Sequence, residues 1–216
     1  MNTSIGIIGS GFSSLSAACY LAKEGYNVEI FEKNESIGGR ASQFKAEGFT
    51  FDMGPSWYWM PDVFERFFAD FGYKTEELLE LKKLDPAYSV FFDDDRIDIG
   101  DQLDKIYDTF EKIEEGSSKK LQEFIHDAKS NYDVAIKDLV YNPGVSPLEL
   151  ITPKTIAKLG QFFSNISKEV RAKVNNPKLV SILEFPVLFL GAKPKDTPAF
   201  YNFICLLYTS PSPRDA

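Results

Sequence analysis

Two pairs of glycines and the carboxylate between them carry the clearest chemistry in this sequence. The first pair sits in Gly9-Ser10-Gly11-Phe12-Ser13-Ser14. In such a run the first glycine makes a tight turn, and the second lets a pyrophosphate approach the bare backbone. A small third residue, here Ser14 where Gly or Ala is usual, lets helix and strand pack. Glu32 follows about 20 residues on, where a carboxylate accepts hydrogen bonds from both hydroxyls of an adenosine ribose and repels a 2′-phosphate. That disfavours NADP. Directly after Glu32-Lys33 come Gly38-Gly39-Arg40, a second bare stretch of backbone beside a fixed, planar cation suited to phosphate or an aromatic ring system. Each piece alone has a plainer reading: an ordinary α/β turn with a solvated Glu32, and a surface loop holding an arginine. Their order along the chain favours a dinucleotide site.

The elements around these residues are the ones such a site needs. Residues 4–9 form a short apolar run ending in glycine, read as a buried parallel strand. Residues 12–24 place Leu15, Ala18, Cys19 and Ala22 at helical spacing, and Gly25 stands where a helix ends. Residues 27–32 read as a second strand. Strand, glycine turn, helix and strand make a βαβ unit, so the expected class is α/β with a Rossmann-like start. The helix would aim its N-terminal amides and positive dipole end at the diphosphate.

Beyond a polar loop at 33–40, residues 48–52 read as a strand and 62–71 as a helix. Residues 88–92 and 96–99 flank Asp93-Asp94-Asp95 as a hairpin. From Asp101 the pattern turns helical. Leu103, Ile106, Tyr107, Phe110 and Ile113 form one stripe, and Gly116-Ser117-Ser118 interrupts it. Leu121, Phe124, Ile125 and Ala128 begin a helix that runs on through Ile136 and Leu139. Further helices are expected over 156–166 and 177–190, after a loop marked by Asn142-Pro143-Gly144 and Ser146-Pro147. The expected organisation is an incomplete dinucleotide-binding domain over 1–87, a partial, partly helical substrate region over 88–203, and a tail from 204 to 216. Two Ser-Pro pairs and no periodicity mark that tail as non-native or disordered.

Composition narrows the function classes. The net charge of −8 repels nucleic acid and argues against broad adhesion to acidic lipid. Two cysteines, Cys19 and Cys205, and a single histidine, His126, leave no usual zinc ligand set, and no hydrolase motif surrounds His126. His126 reads as a helix-surface residue. The chain holds 19 Phe and 10 Tyr, which suits either a large apolar ligand or an aromatic core. No secretory signal is visible, and no apolar run is long enough to span a bilayer. The expected location is the cytoplasm, with local peripheral contact on the cytoplasmic membrane left open.

Gly9-x-Gly11, Glu32-Lys33 and Gly38-Gly39-Arg40 resemble the FAD-binding start shared by amine oxidases, protoporphyrinogen oxidases and carotenoid desaturases. Phe51-Asp52-Met53-Gly54-Pro55-Ser56-Trp57-Tyr58-Trp59-Met60-Pro61 resembles the bacterial-type phytoene desaturases, of the carotenoid desaturase/isomerase family of FAD-dependent oxidoreductases. So do Gly11-Phe12-Ser13-Ser14-Leu15 and residues 132–141. The resemblance runs to about Phe203. It implies FAD bound by Gly9, Gly11, Phe12, Ser13, Ser14, Glu32, Lys33, Gly38, Gly39 and Arg40, with Gly54, Pro55 and Ser56 beside the flavin. Trp57, Tyr58 and Trp59 would line the approach to it or pack as core. It implies removal of two hydrogens from a C–C bond of an apolar polyene such as phytoene, with a flavin as hydride acceptor and peripheral membrane contact. Family members are longer than this chain, which is therefore read as an N-terminal fragment, inactive alone. No catalytic acid or base stands out. Another flavin oxidase, of amines or porphyrinogens, and a non-enzymatic prenyl-binding escort on the same fold are the competing readings.

Overall fold

A computed structural model describes residues 3–54 and 58–204. The chain divides into two compact units, Met1–Trp59 and Met60–Ala216.

The first unit opens with β1 (Ser4–Ile8), α1 (Phe12–Lys23) and β2 (Asn27–Phe31). β1 and β2 pair in parallel, in register from Ser4 opposite Asn27 to Ile8 opposite Phe31. α1 ends where Gly25 was expected to stop it: the Gly25 amide donates to the Ala22 carbonyl and the Tyr26 amide to Leu21, the paired bonds of a Schellman close. The parallel sheet has these two strands only among the described residues. Ile8 is 90% exposed and Phe31 58%, although parallel strands are normally covered on both faces.

The sequence pattern predicts a strand only over residues 48–52 of the following stretch. The structure forms a hairpin there, β3 (Ser42–Ala46) against β4 (Phe49–Met53), closed by Glu47 and Gly48, both at positive φ. That is the two-residue turn whose twist matches the strands.

The second unit is mainly helical. It contains α2 (Pro61–Asp70), α3 (Thr75–Leu78), the hairpin β5 (Tyr88–Phe91) with β6 (Arg96–Ile99), α4 (Leu103–Ile113) and α5 (Ser117–Tyr132). A π-helical turn over Asp133–Leu139 and a 3-10 turn over Pro147–Leu150 follow. Then come α6 (Pro153–Ala157), α7 (Leu159–Phe162), α8 (Ile166–Lys173) and α9 (Pro177–Glu184), with 3-10 turns at Phe185–Leu190 and Ala199–Asn202. β6 alternates strictly, with Ile97 and Ile99 buried and Arg96 and Asp98 exposed, as the two-residue period of a half-buried strand requires. Ile99, Ile106, Phe110, Leu121, Ile125, Val170, Leu179 and Leu183 belong to one buried cluster. The stripes expected on α4 and α5 therefore face a common core.

Three helical expectations are revised. After Tyr132 the helix continues with a wider ladder, in which the Val140 amide reaches the Ala135 carbonyl at 2.9 Å, five residues back. The single helix expected over 156–166 is two short pieces, α6 and α7, and Ile166 instead begins α8. Asn165 caps that new helix, its side chain accepting from the Lys168 amide. The break also lets two side chains reach one carboxylate. Asp127 accepts from Lys158 Nζ at 2.7 Å and Gln161 Nε2 at 2.8 Å, and from Asn202 Nδ2 at 2.9 Å. Burial would raise the Asp127 carboxyl; the bonds from Lys158 and Asn202 outweigh it, and the net effect is a lowered pKa. The helix expected over 177–190 stays α-helical only to Glu184. Pro186 has no N–H to continue the ladder, and the chain tightens into a 3-10 turn.

His126 lies exposed on α5. No helix among the described residues is long and apolar enough to cross a membrane. Residues 205–216, most of the expected tail, lie outside the described residues.

Leu121 is fully buried, so Leu121→Ala is expected to cost about 2–5 kcal/mol. Leu148, 71% exposed, should tolerate the same change within about 0.5 kcal/mol. Denaturant midpoints of the two variants test this core assignment.

Candidate dinucleotide site

The glycine run occupies the link from β1 to α1. The Gly9 amide donates to the Phe31 carbonyl at 2.7 Å, which ties the ends of β1 and β2 together. Gly11 is the N-cap of α1, and the Leu15 amide closes the first turn onto its carbonyl at 2.9 Å. Phe12, Ser13 and Ser14 form that first turn, which contains no acidic residue. Amides at this position precede the helical ladder and point outward, suited to an anion.

Gly11 is informative because nothing among the described residues requires it. Its φ is −73°, open to any residue, and an added Cβ would meet no atom within 4 Å. Gly39 and Gly54 differ. A Cβ on Gly39 would sit 3.2 Å from the Gly11 Cα, and one on Gly54 would strike the Arg40 carbonyl. These two glycines are needed for packing of backbone on backbone. Gly11 instead presents bare backbone on the side where a pyrophosphate would approach.

The second glycine pair is clasped to the first loop. Gly38 forms a parallel bridge with Gly11, and its amide donates to the Ser10 carbonyl at 2.9 Å. The Ala41 amide returns to the Gly38 carbonyl at 3.1 Å. Arg40 and Lys33 are exposed beside this arrangement. Pro55, Ser56 and Trp57 lie outside the described residues, so of the expected Gly54-Pro55-Ser56 segment only Gly54 is placed, against Arg40.

Glu32 lies just past β2, opposite the glycine loop. Its Oε2 accepts from the Ser10 amide at 2.8 Å and the Ser10 hydroxyl at 2.7 Å. Its Oε1 accepts from the Asn34 amide at 2.9 Å and from Asn34 Nδ2 at 2.8 Å. The Ser10 hydroxyl first, then the amides of Asn34 and Ser10, hold the carboxyl down to about 2 from an ordinary 4.5. Glu32 is therefore a pure acceptor at neutral pH, the form a ribose diol requires and a 2′-phosphate avoids.

The structure thus places Gly38 and Gly39 directly against Gly11, and ties Glu32 to the same loop through Ser10 and Gly9 to the end of β2 through Phe31. Two further residues, Ser10 and Asn34, went unread in the sequence. Ser10 fills a variable position inside the glycine motif, and Asn34 was one more polar residue in a loop. A short Asn two positions after a carboxylate is a local turn signal. Among the described residues no group of three or more His, Cys, Asp or Glu is arranged to hold a metal ion.

Residues 7–72 match the NAD(P)-binding Rossmann-like domain family. The chain is 41% identical over 202 residues to the carotenoid 3,4-desaturase of Haloarcula japonica, covering 92% of this chain and 41% of that relative. It is 36% identical over 207 residues to a 4,4′-diapophytoene desaturase (4,4′-diaponeurosporene-forming) of Staphylococcus haemolyticus, covering 94% of this chain and again 41% of the relative. The chain therefore spans about 41% of the length of the curated relatives it matches. Among solved structures it is similar to putrescine oxidase, with a TM-score of 0.58 at 17% identity, covering 94% of this chain and 40% of the other. It is also similar to cyclohexylamine oxidase from Brevibacterium oxydans, with a TM-score of 0.57 at 17% identity, covering 96% and 42%. At that identity the likeness is one of fold.

Two measurements follow from the site. Gly11→Ser keeps a good N-cap and meets no neighbour, so stability should stay within about 0.5 kcal/mol while dinucleotide binding is lost; a thermal melt and a binding titration separate the two. The lowered carboxyl of Glu32 stabilises the fold fully above 4.5, and that contribution is lost as the pH falls through about 2. The stability gap between wild type and Glu32→Gln should be constant near neutrality and close across that window. A gap that stays constant down to pH 2 would contradict the clasp.

From its Rossmann-like start through almost all of its length the chain is carotenoid desaturase-like in sequence, and in fold it is similar to part of the two oxidases above.

Proposed function

We propose that this chain serves FAD-dependent desaturation of a carotenoid such as phytoene, contributing the dinucleotide site and part of the substrate side of such an enzyme. The carrying observation is the bare backbone at Gly11 beside an acceptor-only Glu32, in a chain 41% identical to a carotenoid desaturase along 92% of its length. The reading takes the sequence as one part of a longer enzyme, in keeping with the 41% of its relatives that it spans.

The residues present fit FAD. Gly9, Gly11, Phe12, Ser13 and Ser14 would hold the diphosphate, and Glu32 with Lys33 the adenosine ribose. Gly38, Gly39 and Arg40, clasped to the same loop, would continue along the cofactor toward Gly54, Pro55 and Ser56 on the flavin side. When bound, FAD supplies the two-electron chemistry that takes two hydrogens from a C–C bond, while the protein orients the polyene and keeps water away. The acidic residues of the second unit are mostly exposed or ion-paired, and none is assigned as a catalytic acid or base.

An apolar polyene resides in membranes, and the second unit carries apolar side chains suited to peripheral contact with the cytoplasmic membrane. Val145 is 84% exposed and Phe163 87%, and Leu148, Leu150, Ile151, Ile156 and Leu159 are also open. On this reading these residues supply the docking face, together with any part of them that the rest of a longer enzyme covers. The net charge of −8 makes that contact apolar in origin.

The test is an exchange. The matching part of the Staphylococcus haemolyticus diapophytoene desaturase is replaced by this chain, and the chimera is expressed in cells accumulating 4,4′-diapophytoene. Retained flavin absorbance and new polyene bands at longer wavelength are expected, and both should vanish with Gly11→Val. A chimera that holds FAD and leaves both 4,4′-diapophytoene and, in a second host, phytoene unchanged would refute the desaturase reading. Oxidation of added amines or protoporphyrinogen would then identify another flavin oxidase. A folded chimera without flavin, binding the polyene only, would identify an escort.

A further inference from the structure

Ser10 is the most fully committed residue of the glycine loop. Its amide and hydroxyl both donate to Glu32 Oε2, its carbonyl accepts from the Gly38 amide, and it is 1% exposed. The two oxygens of Glu32 are consequently unlike. Oε2 is satisfied by donors that have no water to turn to. Oε1 is satisfied by the Asn34 amide and by the side chain of Asn34, an exposed residue.

Donors that must be displaced differ in cost. The Ser10 hydroxyl is buried, and breaking its bond to a charged oxygen forfeits a charge-assisted bond with nothing to replace it. The Asn34 side-chain amide can rotate into solvent and keep its hydrogen bonds there. A ribose hydroxyl arriving at Glu32 brings one donor, so it exchanges evenly with Asn34 Nδ2 and unevenly with Ser10 Oγ.

We propose that Ser10 is a positioning residue for the nucleotide, pinning Glu32 through Oε2 so that Oε1 is the ribose acceptor, while the Asn34 side chain holds Oε1 until a ribose hydroxyl replaces it. The proposal rests on the dinucleotide reading of the site. It assigns opposite roles to two residues that look equivalent in the hydrogen-bond pattern: one builds the acceptor and the other occupies it.

The test uses the 216-residue chain, with ADP as probe, by titration calorimetry, together with carbon-13 NMR titration of the glutamate carboxyls. Ser10→Ala is expected to weaken ADP by about tenfold, the worth of one bond to a charged group. It should also move the Glu32 midpoint upward toward 4.5. Ser10→Thr, which keeps the hydroxyl, should restore the midpoint. Asn34→Ala should bind ADP as tightly as wild type or up to about threefold more tightly. Weakening by Asn34→Ala equal to that of Ser10→Ala would overturn the proposal. So would a Ser10→Ala variant that loses ADP without moving the Glu32 midpoint, the signature of a merely structural residue. If the folded wild type binds no ADP and its chimera with the Staphylococcus haemolyticus desaturase holds no flavin, the dinucleotide reading falls, and the proposal with it.

Discussion

The carboxylate of Glu32 is the tie on which the nucleotide unit depends. β1 and β2 are a two-stranded parallel pair whose faces are largely open, and a pair of that kind has little buried apolar area to fix its ends. The loop leaving β1 is instead fixed by polar bonds. Glu32 takes both donors of Ser10, and Gly38 takes the Ser10 carbonyl. The Gly9 amide closes onto Phe31. A loop held this way keeps its amides aimed before any ligand arrives, which is the preorganisation that anion binding needs. The same bonds keep Glu32 ionised, so the shape of the loop and the charge of the acceptor come from one interaction.

The nucleotide unit was legible in the sequence where backbone chemistry is restrictive. Bare backbone at Gly11, a carboxylate after the second strand and a glycine after the helix each answer a local requirement that few residue types meet. The β3–β4 hairpin was legible only on its second strand. Residues 42–46 offer only Phe44 and Ala46 as an alternating apolar pair, and Glu47-Gly48 is a poor turn signal beside Asn-Gly or Asp-Gly. Ser10 escaped notice because its role depends on a partner 22 residues away, and hydroxyl donors leave no periodic trace. The domain limits at residues 87 and 203 and the tail reading remain sequence-based proposals.

In the helical unit the apolar stripes predicted the buried faces of α4 and α5, since burial imposes a period. They did not predict where helices stop. The run from Ile156 to Ile166 carries helical spacing, yet Thr152 and Asn165 cap new starts within or beside it. The turns between let Lys158 and Gln161 converge on Asp127. Asn131, fully buried on α5, joins them by donating to Gln161, Asn202 and the Phe200 carbonyl. A carboxylate drawn partly out of water must be met by donors, and that demand is long-range. Helical periodicity is local and carries no record of it. The helix gives way where a partly buried charge is met by these donors.

On the proposed reading the two units face opposite binding problems. A dinucleotide offers charges and hydroxyls, so a few fixed donors and one acceptor define its place. A polyene offers no polar handle, so on the proposed reading affinity comes from apolar area alone, and selectivity from the length and shape of the surface that covers it. A charged or hydrogen-bonding side chain adds nothing to such recognition and costs desolvation. The exposed apolar residues from Val140 to Phe163 are costly for a surface facing water throughout, and the net charge of −8 opposes self-association through them. Apolar exposure of this kind fits a surface covered by something apolar and uncharged: on the proposed reading the polyene and its acyl surroundings, or the remainder of a longer enzyme.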